Sequence, residues 1–133
     1  MQVASSQPIV FISHFGVKPG HAEAFRAMWA SVIEDLRATK PSTSAQVAYL
    51  SEDELRLSIV HVFPDADALA RHFEGADERS RAVYEHIAPA GWEMYGSPHE
   101  EQLAGLRAEA ASAGVALTVM PTVVGGFLRA PGS

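Results

Sequence analysis

The order in which hydrophobic periodicity switches along this chain restricts its fold more than any single residue does. Ile9 to Val17 is a run of β-branched and aromatic residues, opened by Pro8 and stopped by Lys18-Pro19-Gly20, which predicts a strand ending in a turn. From His21 to about Thr39 the period changes: Ala22, Phe25, Trp29, Val32, Ile33 and Leu36 recur at spacings of three and four, the stripe of an amphipathic helix. Pro41-Ser42-Thr43-Ser44 ends that helix, because a residue before proline avoids helical angles and serines compete for backbone hydrogen bonds. Two strand-like runs follow, Ala45 to Leu50 and Leu55 to Phe63, joined by the hairpin-length link Ser51-Glu52-Asp53-Glu54.

Pro64-Asp65-Ala66-Asp67 then starts a second helix with the apolar stripe Ala66, Leu69, Ala70 and Phe73. Gly75-Ala76-Asp77 interrupts it, and the helical pattern resumes from Glu78 to Ile87. Trp92 to Tyr95 is a short aromatic strand between glycines. Pro98 opens a further helix striped by Leu103, Leu106 and Ala110, Gly114 closes it, and Val115 to Met120 predicts a last strand. The sum is β-α-β-β-α-β with an appended helix and strand. That is an α+β, ferredoxin-like, split-βαβ pattern whose right-handed crossovers place both helices on one face of an antiparallel sheet.

One domain over residues 1–133 is expected, with a core at 8–96, the appended helix and strand at 97–121 and a tail at 122–133. A 133-residue chain that is 47% hydrophobic can bury a core without staples. Cysteine is absent, which removes disulfides, thiolate metal sites and thiol nucleophiles together and fits a reducing cytoplasm. A formal charge of −6, with ten Lys and Arg scattered singly, argues against a nucleic-acid partner. No apolar run approaches the roughly 20 residues of a membrane span, and Met1 to Gln7 is polar, so neither insertion nor export is expected.

The first strand carries large residues at both parities, Val10 and Ile12 against Phe11 and Phe15. A sheet covered by helices on one side alone would leave one of these rows facing water. A homodimer with two sheets packed face to face is therefore expected, with the appended helix and strand adding to the interface or closing an edge.

Two stretches resemble the antibiotic biosynthesis monooxygenase-like proteins of the dimeric α+β barrel superfamily. One is the first strand followed by Val17-Lys18-Pro19-Gly20-His21 and a helix with Glu23 and Phe25; the other is Ser58 to Phe63 followed by Asp65, Asp67-Ala68-Leu69 and Ala70-Arg71-His72-Phe73. The resemblance covers roughly residues 8 to 96. Where the family's third strand usually carries a glutamate, this chain has His61. The resemblance implies a small-molecule cavity between helices and sheet and, for an enzyme, cofactor-independent monooxygenation of an aromatic, quinol or polyketide-like substrate. A non-catalytic dimeric ligand-binding or interaction module is the alternative. Haem binding or degradation, found in some superfamily members, is the third.

Six histidines are the side chains able to titrate near neutrality, so acid-base chemistry would start from them. His14 shares a strand face with Val10 and Ile12, and His72 matches the family's helix histidine; these two are the catalytic candidates. His61, Tyr84, His86, Trp92 and Tyr95 are the substrate-contact candidates. For His61 and His86 structural packing is the competing reading, His61 as a core histidine donating to a carbonyl. His21 and His99 sit at helix starts and are expected to be solvated. No histidine pair has the helical spacing of a metal site, and Gly125-Gly126 lacks the context of a phosphate loop. No cofactor or metal is expected. Serine hydrolysis has no motif, since no glycine-flanked nucleophilic serine is present.

Overall fold

The computed structural model describes residues 7–129. Its elements are β1 (Ile9–Val17), α1 (Ala22–Thr39), β2 (Ala45–Leu50), β3 (Arg56–Phe63), α2 (Ala66–Phe73), α3 (Ala76–Val83), β4 (Ile87–Tyr95), α4 (Glu100–Ala113) and β5 (Leu117–Met120). They form one five-stranded sheet in the order β2-β3-β1-β4-β5. The first four strands are antiparallel to their neighbours, and β5 lies parallel to β4 at the edge. The expected ferredoxin-like core with an appended helix and strand is thus present, and β5 pairs with what would otherwise be the free edge of β4. The polar start Met1–Ser6 and the Pro131-Gly132 pair lie outside the described residues.

The sheet has two unlike faces. Along β1 the odd positions Ile9, Phe11, Ser13, Phe15 and Val17 are buried, while the even positions are half-exposed. Registers carry this parity across the sheet: Phe11 lies opposite His61 and Met94, and Ser13 opposite Ile59 and Trp92. The helices pack on this odd row. Phe25 and Leu36 of α1, Ala68, Leu69 and His72 of α2, Val83 of α3, and Leu106 and Ala110 of α4 are buried.

Local chemistry sets the helix starts and breaks. Asp65 caps α2, its carboxylate accepting from the Ala68 amide at 2.8 Å, which satisfies one orphan donor of the first turn. Gly75 stands between α2 and α3 at φ 79°, a left-handed backbone that glycine adopts without a Cβ penalty.

Three boundaries differ clearly from the sequence-based expectation. The second helical pattern stops at Val83 rather than Ile87, and β4 runs nine residues from Ile87 rather than four from Trp92. Val83 and Ile87 have helical spacing, but Ile87 pairs with Val17 across the sheet, and sheet pairing prevails. Pro89 and Gly91, which read as breakers, sit where the β1–β4 register slips between His14 and Phe15, leaving Ala90 without a β1 partner. A bulge is where a strand tolerates such residues. The last strand is also shorter than expected, starting at Leu117.

Candidate functional site

The apolar core under the helices is divided into two clusters. One gathers Phe11, Phe63, Leu69, Trp92, Met94 and Leu106 toward one end of the sheet. The other gathers Phe15, Val17, Phe25, Leu57, Ile59 and Ile87 toward the opposite end. Between Phe11 and Phe15, the row of large residues on β1 is interrupted by the small Ser13. The space that Ser13 leaves is part of a cavity of about 150 Å³ between sheet and helices. Phe11 and Trp92 line it from one cluster, Phe15 and Ile59 from the other, and Trp29, Val32 and Leu36 of α1 form its roof. A dry apolar cavity of this order accommodates a single benzene-sized ring.

Besides Ser13 of β1, its polar groups come from five other elements. His61 on β3 is buried and donates from Nδ1 to the Phe11 carbonyl at 3.0 Å. His72 on α2 is buried at right angles to it, ring centroids 5.6 Å apart, with Nδ1 paired to Thr43 Oγ1 at 2.7 Å. Burial pulls the His61 pKa down from 6.5 to about 4, with the Arg79 charge adding to it and the Phe11 carbonyl opposing. Burial, then the charges of His61, Arg79 and Lys40, pulls His72 down to about 3. Both rings are therefore neutral at pH 7.

Arg79 of α3 reaches over the pocket and donates to the His72 carbonyl at 2.7 Å and the Glu74 carbonyl at 3.1 Å, closing the C-terminal end of α2. Desolvation lowers its pKa. Gln46 of β2 also lines the pocket, and its buried Oε1 has no hydrogen-bond partner among the described residues. At the mouth stand Ser80, Tyr84 and, from α4, Glu109. Burial raises the Tyr84 pKa, the Glu109 charge adds to it, and a hydrogen bond with Ser80 opposes.

Of the residues singled out from sequence, His61, His72, Tyr84 and Trp92 line this pocket together. His14 and Tyr95 do not. His14 and His72, the two catalytic candidates, do not share one space: β1 residues of even number point away from the helices, so the two histidines lie on opposite faces of the sheet. His14 instead joins a cluster on the open face, where its Nδ1 pairs with Ser58 Oγ at 2.8 Å and its Nε2 bonds to Glu93 Oε2. The Tyr95 hydroxyl donates to the other oxygen of Glu93. The hydrogen bond from Tyr95, and then that from His14, hold the Glu93 carboxyl below the ordinary range.

His86 lies away from the pocket, its Nδ1 3.0 Å from that of His21, one ring donating and the other accepting. His99 is exposed at its helix start, as expected, and its Nε2 lies 2.6 Å from Asp67 Oδ1, linking α4 to α2; His21 is partly exposed and paired with His86. Ser13, Gln46, Arg79 and Glu109 were missed from sequence. Ser13 had a visible signal, a small polar residue within the odd row of an otherwise bulky strand; Glu109 had none, because nothing in a helix stripe says which pocket its edge will border.

No helix among the described residues is long and apolar enough to cross a membrane. Among the same residues no group of three or more His, Asp or Glu side chains is arranged to hold a metal ion.

No family model matches the sequence, and no curated protein matches it. Solved structures do match. MupZ from Pseudomonas fluorescens superposes with a TM-score of 0.70 at 20% identity, over 92% of this chain and 95% of its own. SnoaB from Streptomyces nogalater, described as a cofactor-independent oxygenase, gives 0.57 at 17% identity, over 70% of this chain and 95% of its own. A conserved protein from Methanosarcina mazei Go1 gives 0.58 at 18%, over 69% and 94%. The 92% span with MupZ is too long for the six-element core alone and takes in part of the appended segment. This chain has the ferredoxin-like α+β fold of the antibiotic biosynthesis monooxygenase-like proteins that its sequence resembles.

Proposed function

We propose that the protein binds a small hydroxylated aromatic molecule in the pocket between helices and sheet and oxidises it without a cofactor. The observation that carries this reading is the break in the core at Ser13, which opens a ring-sized space walled by Phe11, Phe15 and Trp92. Such a space costs packing energy unless something fills it. The unpartnered Gln46 Oε1 favours a ligand with a hydroxyl to donate. The fold shared with SnoaB supports oxygenase chemistry. In such chemistry the deprotonated substrate itself reduces dioxygen, and a ring CH₂ plus O₂ becomes C=O plus water. The protein's share is to enclose the ring, exclude water and accept a proton.

The volume favours a single ring; a polyketide-like substrate of several fused rings would require α1 and α3 to part, and a haem would require more. Trp29 and Trp92 both line the space, so ring binding is read from tryptophan fluorescence. Quenching by single-ring quinols and phenols, with oxygen uptake on a panel of the quinols, is expected. Quenching without oxygen uptake would leave a non-catalytic binding module, and no quenching by any member would retire the reading.

We also propose that two copies pair through the open face of the sheet. Val10, Ile12, Val60 and Val62 lie there half-exposed, beside Val47 at 44% and Tyr49 at 60% exposure. Contiguous apolar surface of this kind marks an interaction site. Sedimentation as a dimer at micromolar concentration is expected, and a monomer would overturn the pairing.

A further inference from the structure

We propose that Glu109, on the appended helix α4, is the general base of the pocket and takes the proton from the hydroxyl of a phenolic or enolic ring seated between Phe15 and Trp92. This rests on the reading of the pocket as a binding site for hydroxylated rings. Glu109 borders the same space as Phe15, Trp92 and Tyr84, with its other side open to solvent. It can therefore reach a bound hydroxyl and pass the proton on to water.

The two pocket histidines are poorly suited to that task. His61 spends its Nδ1 hydrogen on the Phe11 carbonyl, and His72 Nδ1 is occupied by Thr43. With pKa values pulled to about 4 and about 3, neither ring retains a proton well. Glu109 is shifted the other way. Partial desolvation, then repulsion from Asp77, raises its proton affinity above that of an ordinary glutamate, while Tyr84 and Ser80 face it from α3 and the turn after it. It is a stronger base than either histidine. The step balances by itself: the substrate O–H bond breaks, a carboxylic acid forms on Glu109, and the electron pair remains on the substrate oxygen.

The test uses two probes of nearly equal size, 4-nitrophenol and nitrobenzene, with the whole protein and its Glu109→Gln variant. Wild-type protein at pH 6 is expected to bind 4-nitrophenol about tenfold or more tightly than the variant does, since a hydrogen bond to a charged acceptor is lost. Nitrobenzene should bind both equally. The colour change of bound 4-nitrophenol should occur at higher pH in wild type than in the variant, because the carboxylate opposes a second negative charge beside it. Equal binding of both probes by both proteins would overturn the role of Glu109 and leave the pocket intact. Failure of either protein to bind either probe would remove the pocket reading and this inference with it. With any ring that is turned over, Glu109→Gln should lower kcat by about 10²-fold with KM little changed, and Glu109→Asp should recover part of it.

Discussion

The two faces of the sheet are built from the same strands and differ in how each treats a polar group. On the helix face His61 and His72 are buried, neutral and each tied to one partner, and the space beside them is walled by aromatic rings. On the open face His14 lies between Ser58 and Glu93, with Tyr95 beyond, in a half-exposed cluster among valines. Burial suppresses charge on the two histidines of the first face, whereas the second face keeps an ionised carboxylate beside its histidine. A histidine's meaning thus depends on strand parity: one residue along β1 moves a side chain from the core to the open face of the sheet.

Truncation separates the faces most strongly. Phe63 is fully buried beneath α2, and Phe63→Ala should cost about 3–5 kcal/mol in urea unfolding. Tyr49→Ala on the open face should change the unfolding free energy of a single copy by no more than about 0.5 kcal/mol, yet weaken dimer formation in sedimentation. Equal losses at the two sites would mean that the faces are not distinct.

Acid acts on the helix face. An unfolded histidine binds a proton below about pH 6.5, while folded His61 and His72 resist protonation until about pH 4 and about pH 3. The unfolded chain therefore holds more protons in that window, and stability falls as pH drops from 6.5 toward 4. The His61 share is on the order of 3 kcal/mol. Urea unfolding followed from pH 7 to pH 4 checks this, and a flat profile would contradict the neutral, buried assignment.

Filling the gap in the core sharpens the contrast. Ser13→Leu should extend the apolar row of β1 into the cavity, raise stability by about 1 kcal/mol and abolish ring binding by tryptophan fluorescence. A loss of both stability and binding would instead show that Leu is too large for the space. A comparably small effect is expected at His14. His14→Ala removes one side chain from the open-face cluster, with a stability loss of about 1 kcal/mol, unchanged ring binding and a weaker dimer. Lost ring binding with an intact dimer would return His14 to the list of pocket residues.

Much of this architecture was legible from residue pattern, because periodicity reports which side of an element meets the core. Ile9 to Val17 and Ala45 to Leu50 match β1 and β2 end to end, and the stripe from Ala22 to Leu36 marks the buried side of α1. The β4 strand was half-hidden, since Pro89 and Gly91 imitate a turn and only pairing with β1 reveals a bulge. The site was legible in pieces. His61 could be read as a core histidine donating to a carbonyl, and that bond is present; that His72, Tyr84 and Trp92 share its space was a matter of candidates.

Sequence alone determined the element order, the lack of thiol chemistry and the two-sided character of β1, because these follow from local propensity and composition. Tertiary structure decided which row of β1 the helices cover, and so which histidines share a pocket. It also brought Glu109, from a helix outside the six-element core, to the mouth of that pocket. The physical reason is that a pocket is a shortfall of packing between distant segments: Ser13 leaves the space, but the elements that fail to fill it lie up to about a hundred residues away along the chain, and no local rule connects them.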